Sequence, residues 1–426
     1  MTIFRMLGQV TFFLLLAPCD VTASDRIFNV DYHLTLFSGK DSATVEIEVT
    51  NAQWLKSLDF NLEGSKCSQF RSAGRIVRQA NRLLWEPEGE KAYLSFKCRI
   101  KNKRKSSQGE IFYDAYIEKS WALFRADDFV PPAKARIVKG AVSRARLLID
   151  MPSHWQGVNT GWPREKNNSS DGDAKQAVFI IDNPKRKFDR PTGWVIAGEL
   201  GTRRAYPVGQ DGVRRQLLVS APAASDVRQM DILTFVYMLW PEYEKAFVDL
   251  PSKLLITGAG KPMWRGALSA GNSLYLHAGR PLVSENGTST VLHELFHVIT
   301  GISGKQGSDW IAEGLAEYYA IILLKRVGGM SEERYDKTMT KLAKWSQGVD
   351  SLYAANSTGA ITAAAVGVFE QLDSEIQQAS GGTKSLDHLV RSLMAGPAVD
   401  KKDLMAAFAR LTGKTSKVLQ QGVRVE

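Results

Sequence analysis

Cysteine is nearly absent, with three in 426 residues. That excludes a disulfide-dense scaffold and a structural zinc centre built from four thiolates. Long apolar runs are missing too. The leading one, residues 10–17, falls short of the roughly 20 residues a spanning helix needs, and nothing later approaches that length, so no transmembrane segment is expected. There is no internal repeat and no low-complexity linker, which removes solenoids and domains on flexible tethers. Histidine numbers only six. Acidic residues fall short of basic ones, 45 against 55, giving a formal net charge of +10. The one dense basic run, Lys101-Asn102-Lys103-Arg104-Lys105, reads as a solvated hairpin loop, so no nucleic-acid partner is expected.

What the N-terminus does contain is a leader pattern. Arg5 precedes the apolar run and Val21-Thr22-Ala23 supplies small residues suited to cleavage, so residues 1–23 are expected to be a signal peptide and the protein to be exported. A second reading, a lipoprotein box at Leu16-Ala17-Pro18-Cys19 with a lipid anchor on Cys19, is disfavoured by Pro18 directly before the cysteine. Cleavage after Ala23 removes Arg5 and Asp20 together and leaves Cys67 and Cys98, which an oxidising compartment would allow to pair.

Two periodicities divide the rest. Over residues 24–206 the pattern is of strands: Ala43, Val45, Ile47 and Val49 alternate with Thr44, Glu46 and Glu48, and Ala92, Leu94, Phe96 and Cys98 repeat the same period of two. A β-sandwich-like N-terminal domain is expected. Residues 207–426 turn helical after one or two strands. Ile232, Phe235, Val236 and Leu239 share one helical face, which Pro241 should end or kink. Later helices are expected over residues 309–327, 331–346, 363–379, 385–395 and 401–411, several closed by glycine. The fold class is therefore α+β, a β-rich domain followed by a mainly helical one with a small sheet.

The chemistry-bearing feature is His293-Glu294-Leu295-Phe296-His297, preceded by Asn286-Gly287-Thr288-Ser289-Thr290, residues that start helices. On a helix His293 and His297 project from one face and can reach one metal ion. Glu294 can then meet a metal-bound water without being a ligand, the position of a general base. Such a string alone arises by chance in roughly one chain in a hundred. A second acidic helix, Trp310-Ile311-Ala312-Glu313-Gly314-Leu315-Ala316-Glu317-Tyr318-Tyr319, changes that. Glu313 can complete a two-His, one-Glu set that keeps a fourth position open for water, and Glu317 can accept a hydrogen bond from a ligating imidazole. Mixed nitrogen and carboxylate donors point to zinc, one ion per chain.

H-E-x-x-H followed by W-x-x-E-G-x-x-E-Y-Y resembles the gluzincin metallopeptidases, most nearly the M61 glycyl aminopeptidase family and more distantly the M1 aminopeptidases. The similarity is densest over residues 266–319 and is echoed at Leu372-Asp373 and Gly381-Gly382-Thr383-Lys384-Ser385-Leu386-Asp387. It implies a thermolysin-like zinc peptidase domain, a peptide or protein substrate, and a bacterial periplasmic or secreted location. It also implies a substrate-binding edge strand, for which Asn272-Ser273-Leu274-Tyr275-Leu276 is the candidate, with Asn272, Ser273 and Leu274 touching substrate. The family's transition-state tyrosine has no direct match, because Ile361-Thr362-Ala363-Ala364-Ala365 stands there; Tyr353 is the nearest substitute. The acid that relatives use to hold a free amine is missing from Gly266-Ala267-Leu268-Ser269-Ala270-Gly271-Asn272. His277 reads as structural sooner than as a substrate contact. The expected activity is metal-dependent peptide hydrolysis, with aminopeptidase specificity open; the competing expectation is a zinc-binding envelope protein without turnover.

Overall fold

The computed structural model describes residues 26–421 apart from 106–108, 166–175, 183–187 and 395. The expected leader and Cys19 lie outside the described residues. In the first half, alternation becomes pairing. Strands Ala43–Thr50 and Lys91–Cys98 run antiparallel with Val45 opposite Phe96 and Ile47 opposite Leu94, all four side chains turned into the core. They sit in a six-stranded sheet whose central strand, Ile27–Leu36, pairs parallel with Val142–Asp150. A four-stranded and a five-stranded sheet complete this half. The apolar faces of all three share one hydrophobic cluster, so the expected sandwich is a three-sheet arrangement. Cys67 and Cys98 are opposite each other on neighbouring strands and form a disulfide. The basic run read as a loop includes a strand, Asn102–Lys105, hydrogen-bonded to Ile111–Ile117.

The second half is built on a five-stranded mixed sheet, ordered Leu200–Ala205, Gln216–Pro222, Lys253–Ala259, Ser273–His277, Ala267–Ala270. Its first strand lies before residue 206, where the change of periodicity had been placed. The three middle strands are mutually parallel; both outer strands are antiparallel to their neighbours. Among the described residues eight helices follow or interrupt it: α1 (Gln229–Ala246), α2 (Thr290–Thr300), α3 (Asp309–Arg326), α4 (Glu332–Trp345), α5 (Ala360–Ala379), α6 (Leu386–Leu393), α7 (Lys401–Thr412) and α8 (Lys417–Gln421). The last five long ones occur where periodicity and glycine placed them. α1 does not end at Pro241 but continues to Ala246. Pro241 and Tyr237 both face solvent, where water can satisfy the carbonyl that the ring deprives of a partner, while Tyr243 and Ala246 beyond it are fully buried.

α3 is the centre of this half, buried on nearly every side. Gly314 lets α5 approach: a Cβ there would lie 2.5 Å from that of Ala365 and 2.9 Å from the Phe369 ring. Trp310 stacks on Phe369 just above. The two halves meet through a smaller cluster in which Trp194 packs on Tyr275 with ring centres 5.2 Å apart. The Trp194 amide donates to Ser273 Oγ and its indole N–H to the Leu268 carbonyl, fixing the outer strand Ala267–Ala270 and its neighbour against the first half.

Candidate active site

α2 begins at Ser289, whose hydroxyl accepts from the Leu292 amide, and ends at Gly301 in the left-handed region. One face, Val291, Leu292, Leu295, Phe296 and Ile299, is buried. The opposite face carries His293, Glu294 and His297, all partly exposed, and His293 and Glu294 line a cleft. α3 runs beside it and shows that cleft Glu313 and Glu317, one turn apart and flanked by buried residues. Behind the cleft, Phe296 stacks on Tyr319 and both pack on Phe247, locking the two helices together.

The structure brings together four of the side chains expected at the centre. His293 Nε2 lies 3.1 Å from Glu313 Oε2 and 3.2 Å from His297 Nε2, and His297 Nε2 lies 3.4 Å from Glu313 Oε1. Donors bound tetrahedrally at zinc distances are about 3.3 Å apart, so this triangle already has the edge lengths of one face of a coordination tetrahedron. Glu317 Oε2 lies 2.9 Å from His293 Nδ1. That contact requires the proton on Nδ1 and turns the Nε2 lone pair toward His297 and Glu313. Three lone-pair donors aimed at one point repel unless something positive lies among them. The electrostatics agree: burial alone would pull the His293 imidazole down, but Glu313 and Glu317 outweigh it and push it up to about 10. Burial alone would raise Glu313, and its bonds to the two imidazoles bring it down to about 2. Among the described residues this is the one cluster of three whose donor atoms converge for a metal.

Glu294 is held differently. Its Oε2 accepts a 2.8 Å hydrogen bond from the Ser269 amide, on the outer strand Ala267–Ala270. A cleft cavity of about 460 Å³ opens before it, lined among others by Trp264, Ala267, Arg280, Trp345, Thr358 and Thr362.

Two expectations are corrected. Asn272-Ser273-Leu274-Tyr275-Leu276 is not the edge strand: Ser273–His277 pairs on both sides, and Ala267–Ala270 forms the edge. Ser273 and Leu274 are fully buried and Asn272 abuts Gly161 of the first half, so none of the three lines the cavity. Tyr353 is half exposed, with its ring over Gly307, and does not line it either. No tyrosine does, among the described residues. Tyr318 and Tyr319 point away, donating to Asp373 and Asp387, two carboxylates of the segment that carried the later echo of resemblance. His277 is buried at the end of its strand and accepts from the Gly279 amide. Trp264, Arg280 and Trp345 are newly placed at the site, singled out by no spacing or motif of the sequence, and Ser269 enters it from the segment that was read only for a missing acid.

No protein-family model matches the chain, and no curated protein matches it in sequence. Solved structures do match in shape. An M1 zinc metallopeptidase from Deinococcus radiodurans superposes with a TM-score of 0.61 at 16% identity, covering 92% of this chain and 91% of that one. A mutant of it was solved with a Tyr-Ser-Ala substrate bound. An aminopeptidase N family protein from Idiomarina loihiensis gives 0.61 at 14% identity, over 92% and 78% of the two chains. Aminopeptidase A of Legionella pneumophila gives 0.56 at 13%, over 91% of this chain and 48% of that one. Over more than nine-tenths of its length, this chain has the α+β fold of the M1 zinc metallopeptidase structures.

Proposed function

We propose that the protein is an exported zinc-dependent peptidase of the gluzincin kind, acting in a bacterial periplasm or outside the cell, with its motif text nearest the M61 family. The observation that carries this reading is the triangle of His293, His297 and Glu313 at zinc spacing with Glu294 beside it and outside the donor set. A structural zinc has no use for such a carboxylate. His293, His297 and Glu313 would hold one zinc ion, which when bound would supply a water of lowered pKa and a Lewis acid for the substrate carbonyl. Glu294 removes the proton of the attacking water and returns it to the departing amine. The outer strand Ala267–Ala270 offers its free edge to an extended peptide. The family resemblance supports a substrate with a free N-terminus; the cavity lining supports peptide hydrolysis without that restriction.

Metal analysis together with a peptide-library digest tests the proposal. Wild type and Glu294→Gln should each hold about one zinc per chain, and the variant should lose about 100-fold or more of the cleavage rate. Zinc without cleavage of any peptide by wild type would favour a binding module; no bound metal would remove both readings.

A further inference from the structure

The charges lining the cavity are uneven. Its carboxylates are Glu294, Glu313 and Glu317, and each already has a partner: the Ser269 amide, the two imidazoles, and His293 Nδ1. No fourth carboxylate lines it among the described residues. An N-terminal ammonium brought into this cavity finds no carboxylate beyond the three of the candidate metal centre and its neighbouring base. Arg280, an exposed residue, lines the same cavity, and its guanidinium has no ion pair or side-chain hydrogen bond among the described residues. It follows strand Ser273–His277 by a tight turn, its amide bonded to the His277 carbonyl, and so stands at the Ala267 end of the edge strand, since Ala267 lies opposite Leu276. The surroundings are positive as well. Burial, then Arg265, Arg280 and Lys261, hold the neighbouring His277 imidazole below its ordinary range.

We infer that Arg280 is a specificity residue that receives a carboxylate of the bound peptide, at the Ala267 end of the edge strand. A guanidinium without a partner, facing a cleft whose acids are committed, presents paired N–H donors that match a carboxylate in geometry and charge. The inference rests on the peptidase reading of the site. The carboxylate can come from the peptide's C-terminus or from an Asp or Glu side chain; both offer the same two oxygens.

The test uses the full-length, zinc-loaded protein and N-acetylated peptides in matched pairs. One pair differs only in a C-terminal carboxylate or carboxamide, the other only in an internal Glu or Gln with the C-terminus amidated. Binding is measured on Glu294→Gln, and cleavage on wild type. The acid member of at least one pair should bind about 10-fold more tightly than its neutral partner, the scale of a charge-assisted hydrogen bond. The pair that discriminates identifies the source. Adding Arg280→Ala should reduce the preference to within about 2-fold, and Arg280→Glu should reverse it toward the Gln-to-Lys version of the peptide. Equal binding within both pairs, or an unchanged preference in Arg280→Ala and Arg280→Glu with zinc content intact, would overturn the inference. Cleavage by wild type without any acid preference overturns it and leaves the peptidase standing. Acid-selective binding that depends on Arg280, without cleavage, does the reverse.

Discussion

Glu317 is not one of the three converging donors, yet its contact with His293 Nδ1 settles which imidazole nitrogen is free to be one. Glu317→Ala should therefore weaken zinc binding by about 10- to 100-fold while leaving the fold intact, as read by competition with a chelator of known affinity. Glu317→Gln should fall between the two, because an amide oxygen still accepts the bond without the charge. At this scale the site was largely legible: His293, His297, Glu313 and Glu317 are each separated by multiples of one helical turn within their own helix, and that spacing alone predicts a shared face. Ser269 and Arg280 were not legible. One acts through its backbone amide and the other through its place after a turn, and neither property is written in residue type.

The helices carry the site because their rear faces are fixed. α3 is held by Tyr318 to Asp373 and by Tyr319 and Arg326 to Asp387, so its acidic turn is anchored to α5 and α6. Gly314 sits between Glu313 and that packing. Helix propensity would favour alanine there by about 1 kcal/mol. The added methyl would meet Ala365 Cβ at 2.5 Å, between two helices with little room to part, and overpacking of this kind costs about 1–3 kcal/mol. Gly314→Ala is thus expected to lower stability, and it should weaken zinc binding as well by displacing Glu313; thermal unfolding with and without added zinc checks both. The edge strand was misread at this scale for a definite reason. Strand order is not local information, and Leu274-Tyr275-Leu276 is buried on both faces, which marks an interior strand and not an edge. Helix positions fared better, since capping and glycine termination are local.

At the scale of the molecule, Lys253 joins the halves. It is almost wholly buried, at 5% exposure, and its ammonium donates to the Trp162 carbonyl at 2.7 Å and lies over the Phe179 ring. Burial, then Arg164 and Arg204, bring its pKa down from 10.5 to about 7. Below about pH 7 the amine is charged in the folded and the unfolded chain, and the burial cost is complete. From there to about 10.5 only the unfolded chain keeps the proton, so the folded state gains stability as pH rises, by at most about 1.4 kcal/mol per unit. Relative to Lys253→Met, wild type should therefore become steadily more stable between about pH 7 and pH 10, as denaturant unfolding would measure. A flat difference would contradict the depressed pKa. The succession of strands followed by helices was legible from the change of period. The docking of Trp194, Ser273 and Lys253 between the halves was not, because an isolated buried polar group carries no pattern.

The hydrogen bond between Glu294 and the Ser269 amide has a metrical consequence. Along an exposed strand, successive backbone groups form a ruler with a fixed increment, and a chain laid against it can slide only in steps of that increment. Here one graduation of the ruler is tied to the Glu294 carboxylate. On the peptidase reading, the bond to be cut is thereby chosen by its count along the backbone, and side chains on either side decide only which of the permitted alignments is held longest.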